Sequence, residues 1–238
     1  MGYASVGVFF AFMASLNILV PAYNEERTIL RVMDALTHAL PDARVIYVDD
    51  GSKDETLSIL RKHARPTDTV LTKENGGKGS AIRMAIANAS ADFCVIQDAD
   101  LEYDPSEIAG LLEAAVSEPG TVVFGSRFLR KNPNIYPLFL LGNKTLTTIL
   151  NLLFGGTLTD SYTCYKLFPT NVLKAMVLRA DGFELEAELA AIPLKKGIRI
   201  IERAISYHPR SFAEGKKIGW RDAVKGIVTM LRIRMQSS

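Results

Sequence analysis

Two acidic clusters end apolar runs, one in Val45-Ile46-Tyr47-Val48-Asp49-Asp50-Gly51-Ser52 and one in Phe93-Cys94-Val95-Ile96-Gln97-Asp98-Ala99-Asp100. Each run reads as a buried parallel strand, and ligands of an open α/β sheet bind beyond the carboxyl ends of such strands. Carboxylates suit a nucleotide and a metal there better than they suit a core, because a buried charge is costly unless paired. Asp98 and Asp100 alternate, so both can close on one divalent cation, Mg2+ or Mn2+, as hard oxygen ligands. A cation held that way can grip a diphosphate. The competing readings are a helix N-cap ahead of Pro105 for Asp98/Asp100 and an ordinary turn for Asp49-Asp50-Gly51-Ser52.

Alternating patterns supply the elements that position these groups. A strand over 16–20 ends at Pro21-Ala22-Tyr23-Asn24-Glu25, and a helix follows with Ile29, Val32, Met33 and Leu36 on one face. A second strand over 44–48 leads to a helix capped by Asp54 and carrying Leu57, Leu60 and Ala64. A short strand over 69–71 precedes the glycine-rich Gly76-Gly77-Lys78-Gly79. That segment is not a phosphate loop of the usual kind, because Gly follows its Lys where Ser or Thr is required. Helix, strand (93–97), helix (from Pro105) and strand (121–124) complete an alternation that predicts a doubly wound, mostly parallel α/β sheet. The second half is less regular. Residues 138–154 are rich in Leu and Phe but broken by Asn143, Lys144, Thr145, Thr147, Thr148 and Asn151, which suits an interfacial or core helix better than a span. A helix over 184–194 and a strand over 198–205 precede an amphipathic helix over 220–235. There Ala223, Val224, Ile227, Val228 and Leu231 share a face, with Arg221, Lys225 and Arg232 along an adjacent edge.

The chain has 238 residues, 48% hydrophobic and 23% charged, which excludes a disordered or fibrous class. The net charge of +2 hides an asymmetry, since residues 203–238 hold eight basic and two acidic residues, a net +6. Such a segment points to an anionic partner, diphosphate or lipid headgroup. Without Arg-rich repeats or interleaved aromatics, no nucleic-acid partner is expected. Cys94 and Cys164 are the only cysteines; with Cys94 in a buried strand, no disulfide framework and a reducing cytosol are expected. The apolar stretch 3–16 has no preceding Lys or Arg and is too short to span a bilayer. Met13 is therefore expected as the true start, or residues 1–12 as a loose apolar extension.

Taken in order, Pro21-Ala22-Tyr23-Asn24-Glu25, Asp49-Asp50-Gly51-Ser52, Gly77-Lys78-Gly79, Asp98-Ala99-Asp100 and Gly125-Ser126-Arg127 resemble the motifs of family 2 glycosyltransferases with the GT-A fold. Within that family the chain is similar to dolichyl-phosphate mannose synthase and bacterial polyprenyl-phosphate glycosyltransferases. Asp160-Ser161-Tyr162-Thr163-Cys164-Tyr165-Lys166 and Gly182-Phe183-Glu184-Leu185-Glu186 look like that subgroup's acceptor-side motifs. The resemblance implies one GT-A domain, with an N-terminal extension (1–15), a nucleotide-sugar half (16–130) and an acceptor half (131–238). It implies that Pro21, Ala22, Tyr23 and Glu25 line the donor pocket together with Asp49, Asp50, Lys78, Gly79, Gln97, Asp98 and Ala99. It implies a metal on Asp98 and Asp100, with Glu102 where the family often carries Gln, and phosphate contacts from Arg127, Arg210, Lys216 and Lys217. GDP-mannose is the leading donor on this ground, with a UDP-sugar close behind.

The implied reaction is inverting, metal-dependent sugar transfer to a polyprenyl phosphate by a peripheral protein at the cytoplasmic membrane face. A homodimer or a membrane-anchored partner is left open. A lipid monophosphate is already an anion near neutrality, since its second pKa is about 6, and needs no general base. A glycan or lipid hydroxyl would need one, and Glu184, Glu186 or Asp160 are the candidates. Two other classes stay open, a nucleotidyltransferase that makes the activated sugar and a non-catalytic subunit that only binds it.

Overall fold

The computed structural model describes residues 14–132, 136–209 and 220–236; the expected extension over residues 1–12 lies outside them. The apolar run Leu16–Ala22 forms β1. The amphipathic Ile29–Ala39 forms α1, with Ile29, Val32, Met33 and Leu36 buried as their spacing requires. The alternation continues through β2 (Arg44–Asp49), α2 (Thr56–His63), β3 (Thr69–Thr72) and α3 (Lys78–Asn88). It ends with β4 (Phe93–Ile96), α4 (Ile108–Ser117) and β5 (Val122–Ser126). Then come α5 (Pro137–Phe154), β6 (Lys166–Pro169), α6 (Thr170–Lys174), α7 (Leu185–Lys195), β7 (Ile200–Ala204) and α8 (Trp220–Met235).

Among the described residues the strands form one seven-stranded sheet in the order β3-β2-β1-β4-β6-β5-β7. Every neighbouring pair is parallel except those made by β6, which runs antiparallel to β4 and β5. The chain winds outward from β1 to β3 and then returns to the other side of β1 as β4. The order therefore reverses between β1 and β4, and a ligand crevice opens beyond their carboxyl ends. Asp49 at the end of β2 pairs with Ala22, and Asp98 follows β4 after Gln97, so both acidic clusters lie at the carboxyl ends that border the crevice.

Two parts of the second half differ from expectation. β6 and α6 are too short for a periodic signal, and β6 opens on a lysine and closes on a proline, both poor strand markers. In α8 the inward face is Gly226, Thr229, Met230 and Ile233, while Val224, Val228 and Leu231 are exposed. Gly226 fixes this rotation: it packs on the Tyr162 hydroxyl so closely that any Cβ would overlap it. Arg232 stays 43% exposed, yet its Nη2 donates to buried Glu188 Oε1 at 2.8 Å and ties α8 to α7.

Candidate active site

The crevice is stitched from loops that leave β1 and β2. Asn24, at φ 54°, donates its backbone N–H to Ser52 Oγ at 3.0 Å and accepts from Lys53 N–H at 2.8 Å. Glu25 N–H donates to Thr56 Oγ1 at 2.8 Å. Thr28 Oγ1 bridges the crevice, donating to the Ala99 carbonyl at 2.7 Å. These bonds and the Ala22–Asp49 pairing bring the 22–28 segment, the end of β2 and Ala99 together. Asp49 is buried and accepts from Ser52 N–H and from Thr72 Oγ1, the latter at 3.2 Å.

Asp50 is placed differently from the donor-contact role expected of it. Its carboxylate accepts from Gly77 N–H at 2.7 Å, Gly76 N–H at 3.0 Å, Lys73 Nζ at 2.7 Å and Asn75 Nδ2 at 3.2 Å. Four protein donors commit it to shaping the glycine loop. Gln97 is likewise withdrawn from the crevice: it is fully buried, accepts from the Tyr165 hydroxyl at 2.6 Å and donates to the Asp98 carbonyl at 2.9 Å. It orients the peptide that carries Asp98. Its position at the end of an apolar strand gave both roles the same sequence signal.

The glycine loop brings α3 against the 180–182 segment. Gly77 adopts φ 92°, a conformation open to glycine, and a Cβ at Gly79 would overlap the Ala180 carbonyl oxygen. Gly79 N–H donates to the Asp181 carbonyl at 2.7 Å. These contacts set Lys78, the first residue of α3, between the two halves of the site. Its Nζ lies 2.8 Å from Asp98 Oδ1 and 2.9 Å from Glu186 Oε1. Glu186 also receives Lys166 Nζ, which is completely buried on β6 and donates further to the Thr163 carbonyl. Burial works against the Lys78 ammonium, but Asp98 and Glu186 outweigh it and hold its pKa well above the ordinary lysine value. Burial pushes the Glu186 carboxyl up, but Lys166 and Lys78 outweigh that and hold it below the ordinary glutamate value. The sequence places Lys166 in the acceptor-side motif without a role of its own; its further signal is a lysine within an otherwise core-like Cys-Tyr-Lys-Leu-Phe run.

Beyond Asp98 the loop is strained. Leu101 adopts φ 61°, a left-handed conformation that costs an L-residue roughly 1–2 kcal/mol. Three bonds hold it: Asp100 Oδ1 accepts from Glu102 N–H at 3.2 Å, the Glu102 carbonyl accepts from His208 N–H at 2.9 Å, and Glu102 Oε2 accepts from the Tyr207 hydroxyl at 2.8 Å. The Glu102 carboxylate therefore serves Tyr207. Tyr207 in turn lies under the Arg127 guanidinium, 5.0 Å from ring centroid to Cζ. Arg127 and Asp160 form a buried two-pronged pair, Nε to Oδ2 at 2.7 Å and Nη2 to Oδ1 at 2.8 Å. Burial opposes the Arg127 charge, yet Asp160 outweighs it and keeps the guanidinium's pKa well above its ordinary value. The two residues expected to act separately, on phosphate and as a base, are thus partners.

On the acceptor side Glu184 precedes α7, and its Oε2 is a buried oxygen without a hydrogen-bond partner among the described residues, as are Tyr162 Oη and Thr163 Oγ1. Burial pushes the Tyr162 pKa up, with Glu186, Glu184 and Asp222 adding to it. Arg210, Lys216 and Lys217 lie outside the described residues.

Among the described residues no three His, Cys, Asp or Glu side chains gather as a metal-binding group. Asp98, ion-paired with Lys78, and Asp100, which accepts from Glu102 N–H, are half-buried beyond the end of β4. That donor set fits Mg2+ or Mn2+, which are held by one or two carboxylates when substrate phosphates complete the shell.

The low-salt glycan biosynthesis hexosyltransferase Agl6 of Haloferax volcanii is 28% identical over 216 residues, which cover 87% of this chain and 52% of that protein. The chain thus spans about half of that relative's length. The UDP-N-acetylglucosamine–dolichyl-phosphate N-acetylglucosaminyltransferase of Methanococcus voltae is 30% identical over 229 residues, covering 85% of this chain and 90% of its own. The crystal structure of glucosyl-3-phosphoglycerate synthase from Mycobacterium tuberculosis with uridine diphosphate shares the fold, with a TM-score of 0.75 at 20% identity over 100% of this chain and 87% of that one. The model of glycosyl transferase family 2 matches residues 17–176, well over half of the sequence, and the chain belongs to that family.

Proposed function

We propose that this chain transfers a sugar from a nucleoside diphosphate sugar to a polyprenyl phosphate at a membrane surface, inverting the anomeric centre. A phosphate oxygen of the acceptor forms the new bond to the anomeric carbon as the bond to the donor's β-phosphate breaks and the nucleoside diphosphate leaves. The observation that carries this reading is the state of the acceptor-side carboxylates. Of the three that a hydroxyl acceptor would draw on, Glu186 is committed to Lys78 and Lys166 and Asp160 to Arg127. Glu186, held below the ordinary glutamate value by Lys166 and Lys78, is a weak base, so the arrangement suits an acceptor that arrives ionised. The Methanococcus voltae relative supports the same acceptor class, since its name specifies dolichyl phosphate. That name also gives a UDP-sugar, which places UDP-N-acetylglucosamine beside GDP-mannose as the first donors to assay.

In the donor pocket Pro21, Tyr23 and Glu25 with Asp49 would hold the nucleoside, and Asp98 and Asp100 would hold Mg2+ or Mn2+. That ion, when bound, neutralises charge on the departing diphosphate. Lys78, held between Asp98 and Glu186, would supply a further positive charge to that diphosphate. Glu184 separates the acceptor classes. With a phosphate acceptor, Glu184→Gln should keep turnover within about tenfold, and the wild-type rate should rise from acid and level off above pH 7 as the acceptor's second ionisation, near pKa ~6, completes. A loss of about 100-fold or more in Glu184→Gln, with donor binding retained, would move the assignment to a hydroxyl acceptor.

Membrane contact rests on α5 and α8, which pack against each other. α5 is the one described helix long and apolar enough to cross a bilayer by length and composition, but it turns Leu146 and Leu150 into the protein and leaves Leu138, Leu141 and Leu152 exposed. On α8, Val224, Val228, Leu231 and Met235 are exposed at helical spacing beside Lys225 and Arg234. An apolar stripe with basic neighbours suits an anionic bilayer surface. Val228→Glu/Leu231→Glu should reduce co-sedimentation with anionic phospholipid vesicles by about tenfold; unchanged sedimentation would contradict this face.

A further inference from the structure

Lys78 occupies the ground that a divalent cation needs. Its ammonium sits 2.8 Å from Asp98 Oδ1 and its side chain is only 13% exposed. It is not a surface lysine that happens to point inward. Its backbone begins α3 and is fixed by the Gly77 and Gly79 contacts with the 180–182 segment. Its other anchor, Glu186 at 2.9 Å, is itself tied to Lys166, which is wholly buried. The backbone of Lys78 and its Glu186 anchor are therefore both fixed. A doubly charged ion on Asp98 would meet this cation at ion-pair distance, in a crevice where charges are less screened than in water.

A second observation points the same way. Among the described residues no third acid joins Asp98 and Asp100, and the Glu102 carboxylate accepts from the Tyr207 hydroxyl. Protein oxygens alone thus offer an incomplete shell, and one of the two carboxylates is already neutralised.

We infer that Lys78 excludes the divalent cation until a nucleoside diphosphate is present, so that metal and donor enter as one unit. The diphosphate supplies the missing oxygen ligands and gives the ammonium a second anion to face, which relieves its competition for Asp98. By linkage the effect is reciprocal: whatever factor the nucleotide adds to metal affinity, the metal adds to nucleotide affinity. The inference rests on the reading of Asp98 and Asp100 as the metal-holding pair.

Mn2+ binding followed by loss of the free-ion paramagnetic resonance signal tests it, with and without GDP or UDP and without any turnover. Wild-type protein should bind Mn2+ at least about tenfold more tightly when the nucleotide is present. Lys78→Met and Lys78→Gln should gain about tenfold or more in nucleotide-free Mn2+ affinity, while Lys78→Arg, which keeps the charge, should behave as wild type. Circular dichroism and thermal unfolding establish that each variant is folded. Folded Lys78→Met and Lys78→Gln that bind Mn2+ no better than wild type would overturn the inference, as would equal wild-type affinity with and without nucleotide. Failure of the metal site itself looks different: no Mn2+ binding even with nucleotide, or binding that Asp98→Asn leaves unchanged, would overturn that reading and this inference together.

Discussion

Asp98→Asn should lower kcat/KM for sugar transfer by about three powers of ten, or ~4 kcal/mol of transition-state stabilisation, with little change in stability. The size follows from what the residue does twice over. In the proposed mechanism it is one of the two carboxylates that hold the metal, and with Glu186 it is an anion that positions Lys78, 2.8 Å away. The small structural effect follows from its surroundings. The Asp98 side chain is 24% exposed, and Lys78 keeps Glu186 as a partner when Asp98 is neutralised. Steady-state kinetics with saturating Mg2+ and thermal unfolding separate the two effects. Turnover within tenfold of wild type would contradict the assignment, and so would an inactive variant that has simply unfolded.

Asp160→Ala should produce the opposite pattern, a loss of stability first and of activity second. Asp160 is fully buried and holds Arg127, itself almost fully buried, by two side-chain bonds. Removing one partner of such a pair strands the other charge away from water, which costs about 3–5 kcal/mol. In a chain of this size that lowers Tm by on the order of 10 °C. Replacing both partners by apolar residues, Arg127→Met/Asp160→Leu, should recover more than half of the loss, because no uncompensated charge remains. Urea unfolding of the single and double variants checks both statements. A single variant within about 2 °C of wild type would show that the pair is not a structural centre.

Sequence patterning identified the first half of the fold well because each element there carries its own signal. The strands ending at Asp49 and before Asp98 are continuous apolar runs, and α1 repeats its buried residues at helical spacing. Asp49, Asp98 and Asp100 stand out in the sequence for the same reason, since carboxylates at the ends of apolar strands are poorly suited to a core. What the sequence hid was pairing. Glu186, Asp160 and Asp50 looked like free acids because their partners Lys166, Arg127 and the Gly76–Gly77 amides lie 20, 33 and 26–27 residues away along the chain. Gln97 looked like a donor contact because a residue at the mouth of a strand can turn either way, and the Tyr165 hydroxyl decides it. The rotation of α8 was misjudged because Val and Leu outweigh Gly in an apolar pattern, whereas Gly226 is what lets the helix approach Tyr162.

The most direct test of the central claim is the mass of the product. The protein would be incubated with Mg2+, a short polyprenyl phosphate or the matching polyprenol, and UDP-N-acetylglucosamine or GDP-mannose in parallel, and the lipid fraction analysed by mass spectrometry. The account predicts a polyprenyl phosphate carrying one sugar, formed from the phosphate acceptor, absent with the polyprenol, and lost in Asp98→Asn. Sugar attached to the polyprenol hydroxyl, or donor binding with no glycolipid from either acceptor, would contradict it.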